Sequence, residues 1–540
     1  MKQRRFGKLS TVSVITATLL STPLLVIVLM AVTGKADVWS HLWQTVLGDY
    51  VTHSLRLVVG VAIGVLLLGV STAWLTACCE FPGRKLLSLL LLLPMAMPAY
   101  IIAYAYTGLL DFAGPIQTWI RATFELRYGE YWFFNIHSVT GATLMLSLVL
   151  YPYVYLMARA AFLAQSAHII DVSRSLGATP SRAFFRVALP MARPAIVAGL
   201  SLAMMETLAD YGTVQYFGVP TFTTGIFRTF YGFGDAAAAA QLAVVLLTFV
   251  ILLVVLEKYS RRRISYFQSS DRKTPMTRLP LQGLTAWLTT LWCLLPVSLG
   301  FLLPFGLLAV WSTSSNEWVQ GGFIDIAVNS LSLAAIAALV AVLLALVFAY
   351  AARISRSRWV HLSVQVTSLG YALPGTIIAI GVLVSFAWID HHAVAAFDSM
   401  AGTQLGLLFS GTLIALVFAY TTRFLAVSLG AVQSGLQTIK PSLDSTARLL
   451  GRTPLQVLRE IHVPMLKGSV LTAFLIVFVD VLKELPATLM LRPFNFNTLA
   501  VRAYELASDE RLIDAAPASV LIVLVGLIPV FFLNRSITKR

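Results

Sequence analysis

Four carboxylates fall within apolar stretches of this chain as two pairs of equal spacing, Glu206 with Asp210 and Asp480 with Glu484, and 274 positions separate each acid from its counterpart. A spacing of four predicts that both acids of a pair share one helix face. An ionised side chain at membrane depth costs a few kcal/mol or more, so such acids face protein or water and mark a pathway by default. Four carboxylates around one axis favour a cation. A hard cation prefers oxygen ligands, which Tyr100, Tyr104, Tyr106 and Tyr211 can add, although interfacial packing is the commoner use of tyrosine there. Lys483, one turn from Asp480 and adjacent to Glu484, offers the alternative of structural pairing within the helix.

Other reactive side chains carry less. His391 and His392 adjoin in an expected outer loop without a third ligand nearby, so no metal site is assigned. Cys78, Cys79 and Cys293 have no metal-ligand spacing and read as small apolar packing residues.

The elements that must position the acids are membrane helices. Hydrophobic residues make up 58% of the 540 and charged ones 12%, which sets a soluble fold aside. Each crossing needs about 20 apolar residues in a helix, because hydrocarbon offers the backbone no partner. About twelve such runs occur, near 12–33, 54–78, 86–110, 138–163, 193–217, 238–257, 286–311, 329–352, 361–388, 405–428, 467–490 and 516–534. The net charge of +15 lies mostly in alternate short connections, at Lys2 to Arg5, Arg84-Lys85, Arg159 to Arg193, Arg261 to Arg263, Arg353 to Arg358, Arg423 to Lys467 and Arg535 to Arg540. That positive-inside pattern places both termini in the cytoplasm and explains the charge better than nucleic acid does. The first apolar run is too long for a signal peptide's core and reads as an uncleaved helix.

The acids belong to a longer internal repeat. His53-Ser54-Leu55-Arg56-Leu57 matches Asn329-Ser330-Leu331-Ser332-Leu333, and Pro98-Ala-Tyr-Ile-Ile-Ala matches Pro374-Gly-Thr-Ile-Ile-Ala. The boundaries expected are a first transmembrane half at 1–260, a cytoplasmic linker at 261–282 and a second half at 283–540. Six spans per half is even, so both copies enter in the same direction and a pseudo-twofold axis runs along the membrane normal. The fold class expected is an all-α polytopic membrane protein of two parallel six-helix repeats.

Two polar segments repeat with the spans. On the cytoplasmic side, Asp171 to Gly177, Pro180 and Pro190 match Ser445, Ala447, Gly451, Pro454 and Pro464. Each copy predicts a helix that turns at glycine and restarts after proline, forming a rigid lever for a soluble partner. On the outer side, Phe222, Thr224, Arg228 and Asp235 match Phe496, Thr498, Arg502 and Asp509. Both arginines are candidates for acidic residues of a two-lobed partner, or for pairing with Asp235 and Asp509 within each loop.

The cytoplasmic repeat resembles the coupling loop of binding-protein-dependent ABC importer permeases, with Asp171-Val172-Ser173 and Ser445-Thr446-Ala447 standing where that family prefers Glu-Ala-Ala. Leu208 to Gln215, Gly218 to Gly225 and Leu482 to Thr488 are similar to stretches of the fused, two-half permeases of ferric-iron importers. The resemblance implies a type I importer permease of a bacterial inner membrane, with two copies of an ABC ATPase on the cytoplasmic side and a periplasmic or extracellular substrate-binding protein. The chain has no Gly-x-x-x-x-Gly-Lys-Ser/Thr loop, so it is read as a non-enzymatic subunit without its own cofactor, ATP being used by the partner. Ferric iron leads, and thiamine, polyamines or another small solute share the architecture. The rival class is a duplicated secondary transporter.

Overall fold

The computed structural model describes residues 8–34, 36–127, 129–164, 179–262, 278–319, 322–401 and 407–538. Among them, ten helices are long and apolar enough to cross a membrane, and two helix pairs, bent by 93° and 79°, bring the number to twelve if each pair is one span.

In the first half the principal helices are α1 (Lys8–Thr33), α2 (Leu47–Cys78), α3 (Ala99–Leu110), α4 (Val139–Ala164), α5 (Leu189–Ala209), α6 (Gly212–Tyr216), α7 (Phe222–Phe227) and α8 (Ala236–Arg262). In the second they are α9 (Gly283–Val297), α10 (Leu303–Ser314), α11 (Phe323–Ile354), α12 (Gly375–Ile389), α13 (Leu413–Gln437), α14 (Pro441–Leu449), α15 (Lys467–Leu482), α16 (Pro486–Leu491), α17 (Leu499–Ser508) and α18 (Leu512–Thr538).

Proline places the breaks. A residue before proline is pushed out of the helical region by the ring. Met97 before Pro98 has ψ 116° and Leu373 before Pro374 has ψ 129°, so α3 and α12 each start afresh at the proline. The expected third span is therefore a bent pair, and the expected ninth is interrupted, with Arg358–Ser368 separate from α12.

The halves exchange their first helices. α1 packs mainly on helices of the second half and approaches α12 so closely at Pro23 that a side chain on Gly381 would lie 2.4 Å from the Pro23 carbonyl oxygen. In return, α9 and the turn after it lie on the first half, where Trp292 donates to Ser71 at 2.9 Å and Tyr106 donates to the Leu299 carbonyl at 2.8 Å, while α10 packs chiefly on α18. A two-residue parallel bridge, β1 (Cys79–Glu80) with β2 (Leu279–Pro280), pins the chain entering α9 to the end of α2. Cys78, Cys79 and Cys293 are all buried in this region.

Candidate substrate pathway and coupling segment

The four acids converge, but not as two helical pairs. α5 ends at Ala209 and α15 at Leu482, so Asp210 and Glu484 stand beyond their helices. Each instead caps the short helix that follows, whose first N–H groups lack intrahelical acceptors. Asp210 accepts from Val214 N at 3.1 Å and Thr213 Oγ1 at 2.9 Å. Glu484 accepts from the backbone nitrogens of Ala487 and Thr488, both at 3.1 Å. Pro486 at the first position of α16, where no N–H is missed, fixes the restart.

The two breaks face each other across a cavity of about 120 Å³ lined from both halves, with Tyr100, Tyr153, Glu206 and Asp210 from the first and Tyr371, Arg423, Asp480, Lys483 and Glu484 from the second. Tyr100 donates to the Lys483 carbonyl at 3.2 Å. A side chain on Gly212 would sit 2.9 Å from Leu485 and Tyr100 atoms, so glycine allows the breaks to close on one another. Lys483, the first residue past α15, pairs with Asp480 at 2.8 Å, so the local pairing that its spacing offered forms at the end of the helix instead of inside it. Tyr211 lines the cavity and stacks near Phe227 at 4.8 Å, whereas Tyr104 and Tyr106 do not line it.

Arg423 is the cavity residue that sequence reasoning misplaced. Grouped above with cytoplasmic cations, it sits eleven residues into the 25-residue α13, only 8% exposed, and pairs with Glu484 at 3.0 Å and Glu206 at 4.0 Å. The span begins later than its hydropathy predicts, which carries Arg423 from near the end of the expected run to the middle of the helix. A lone arginine amid apolar residues and threonines was the available signal. Four acids against two bases leave the cavity two negative charges in excess when all are ionised.

In the second cytoplasmic segment, α14 ends at a glycine turn. Gly451 adopts φ +82°, with Gly451 N bonded to Arg448 O and Arg452 N to Ala447 O, the double closure that favours glycine after a helix. Thr453 and Gln456 cap the next turn, Pro454–Val457. A wide π-type turn, Leu458–His462, then leads to Pro464, and Phe184–Ala188 leads to Pro190 in the same way, relieving the clash of each proline ring with the preceding turn. Pro180 begins the matching helical turn, while Asp171 and Gly177 lie outside the described residues.

Ser445 lies on α14, whose buried residue is Ala447, packed near Tyr350, Val457 and Leu458. Arg353, at the end of α11, bonds Asp444 at 2.7 Å and the Ile439 carbonyl at 2.8 Å, and buried His462 bonds the same carboxylate. Burial pushes the Asp444 carboxyl up, but hydrogen bonds from His462 and Arg353 outweigh it and hold the group below the usual carboxylate range. Leu449, Leu450 and Leu455 project outward, at 88%, 77% and 61% exposure.

The outer repeat dissolves in the structure. Phe222 N and Leu499 N, the first residues of α7 and α17, donate to Ser54 and Ser330 respectively, so Thr221 corresponds to Thr498 and the register has slipped by three. Seven residues separate α16 from α17, against five between α6 and α7. Arg228 and Arg502 thus occupy different places. Arg502 donates from one terminal nitrogen to both carboxylate oxygens of buried Glu317, at 2.9 and 3.0 Å, Asp509 ends α17, and Asp235 caps α8 through Ala238 N at 2.9 Å. Arg228 is exposed and forms no ion pair among the described residues, its guanidinium lying 5.8 Å from the Phe233 ring. His392 stacks on Trp388 at 4.8 Å and lies apart from the cavity.

Twelve expected spans in two related halves, exchanged first helices and a charged cavity at paired helix breaks define a duplicated membrane transport subunit. The family described as binding-protein-dependent transport system inner membrane component matches residues 66–266 and again 341–540, and the chain belongs to it. It is 26% identical over 525 residues to the Fe(3+)-transport system permease protein FbpB 2 of Haemophilus influenzae, covering 96% of each chain. The molybdenum transport system permease ModB of Escherichia coli is 25% identical over 226 residues, 41% of this chain and 93% of that one. The sulfate transport system permease CysT of Escherichia coli is 25% identical over 227 residues, 40% of this chain and 78% of that one. Two family matches in one chain make this a fused, two-half permease, multi-pass in the membrane and working with an ATPase and a substrate-binding protein as its family does.

Proposed function

We propose that this permease imports ferric iron, moving it by alternating access through the cavity between the two helix breaks. The observation that carries the reading is the charge of that cavity, where four carboxylates outnumber two bases and each base is already paired with an acid. A cation gains from that excess and an oxyanion loses. The full-length likeness to a permease named for Fe(3+) transport supports the same substrate.

Two ATPase subunits would dock on the cytoplasmic segments. In the second of these, exposed Leu449, Leu450 and Leu455 present apolar surface around the rigid Gly451 turn. Arg353 and His462 hold that segment to α11 and to the wide turn before α15, so partner motion would be passed to the break at Glu484. The binding protein would meet the opposite face, where exposed Arg228 is the better-placed of the two outer arginines. Both termini would be cytoplasmic.

The permeases named for molybdenum and sulfate give an oxyanion as the second reading, favoured by Arg423 and Lys483 in the cavity. Uptake by liposomes containing the permease, its ATPase and its binding protein separates them. Iron, molybdate, thiamine and a polyamine are offered in turn, and iron alone is expected to accumulate with ATP. Molybdate accumulation without iron uptake would reject the cation pathway.

A further inference from the structure

Arg423 is held unequally by its two carboxylates. One terminal nitrogen bonds Glu484, on its own half, at 3.0 Å, while another approaches Glu206, on the opposite half, at only 4.0 Å. Its Nε is buried without a partner. The Glu484 side is built to stay, because Glu484 is also fixed by two backbone N–H groups and a side chain on Gly375 would lie 2.5 Å from its Oε1 and 2.8 Å from Arg423 Nη1. Gly375 opens α12, whose N-terminal end adds favourable potential at the carboxylate. The Glu206 side chain, 24% exposed, makes the looser hold on Arg423 and is also hydrogen-bonded with Tyr371 of the second half.

We propose that Arg423 is a tethered counter-cation that locks the closed pathway: anchored to Glu484, it bridges the halves by reaching Glu206 and occupies the negative cavity until an incoming cation displaces it from that acid. The inference rests on the cavity being the pathway. Attraction between unit charges is strengthened where water is scarce, so one bridge across the axis can bias the closed state. Lys483 does not duplicate the role, since its partner Asp480 lies on its own half, one turn back in the chain.

The test is ion conductance of the permease and ATPase complex in planar bilayers, in potassium chloride, without binding protein or ATP. Glu206→Gln leaves the Arg423 and Glu484 pair intact, removes the charge that Arg423 reaches across the axis and keeps a side-chain oxygen for Tyr371, so it reports on the lock even where Arg423→Gln folds poorly. Conductance is expected to rise roughly fivefold or more in each single variant, with no further rise in the double variant, as for loss of one shared contact. Arg423→Lys should restore closure in part. Removing Arg423 leaves a net charge of −3 in the cavity against −1 after Glu206→Gln, so the Arg423→Gln leak should be the more cation-selective, read as its reversal potential in a salt gradient.

Wild-type conductance in Glu206→Gln, or additive effects in the double variant, would overturn the lock. Failure of the ferric reading would appear separately, as wild-type liposomes that take up no iron while the conductance pattern persists.

Discussion

Glu484 does two jobs at one position, capping α16 and neutralising Arg423, whereas Asp210 only caps α6. Truncating one partner of a buried pair strands the other charge at about 3 to 5 kcal/mol, while losing an ordinary hydrogen bond costs about 1 kcal/mol. Glu484→Ala should therefore lower the melting temperature in detergent by far more than Asp210→Asn does. Equal losses would mean that Arg423 is not held as described. The acids were legible because charge in apolar runs is rare and theirs repeated at a fixed interval. Their roles were not, because a helix end falling at Ala209 or Leu482 depends on caps made by the residues downstream. Arg423 was hidden because α13 begins at Leu413, later than its hydropathy predicts, which puts the arginine at the middle of the helix.

At the scale of elements, the latch of Arg353, Asp444 and His462 fastens α14 to its neighbours, with Tyr350 and Arg448 the other titratable groups at Asp444. Its folded carboxyl titrates below the unfolded value of about 4. A depressed pKa contributes stability that is present above the unfolded value and lost as pH falls through the folded one. Protection of residues 441–465 against hydrogen exchange, taken relative to the intrinsic rate at each pH, should accordingly fall below about pH 4, and Asp444→Asn should be less protected at neutral pH with a flatter acid response. Exchange insensitive to this substitution would remove the latch from the account. Gly451→Ala tests the adjoining turn: a side chain at φ +82° costs about 1 to 2 kcal/mol, and ATPase binding should weaken with it. Helices and turns of this kind were readable from repeated prolines and glycines, because those residues act on the backbone locally. The slipped outer register was not, since a loop two residues longer leaves similar residue types in line while shifting their places.

For the whole molecule, twofold duplication followed from sequence spacing alone, but the exchange of α1 and α9 between halves did not, because apolar faces carry no record of which half they meet. The exchange has a consequence for the linker. Proteolysis at an engineered site between residues 263 and 277 should leave the two halves eluting together in detergent, held by α1 on α12 and by α9 on α2. Separation on cleavage would show the halves joined only by the chain. Glu206 and Arg423 lie on opposite halves, so relative motion of the halves makes or breaks their contact directly.

The central claim is that the acids between the two helix breaks carry a cation through an ATP-driven permease. ATP-dependent uptake of radioactive ferric iron by liposomes holding the full complex, wild type against Asp210→Asn with Glu484→Gln, measures it most directly, with ATPase co-purification confirming assembly. The account predicts iron accumulation by the wild type and a fall of about tenfold, near 1.4 kcal/mol, in the assembled double variant. Undiminished iron uptake by that variant would contradict it.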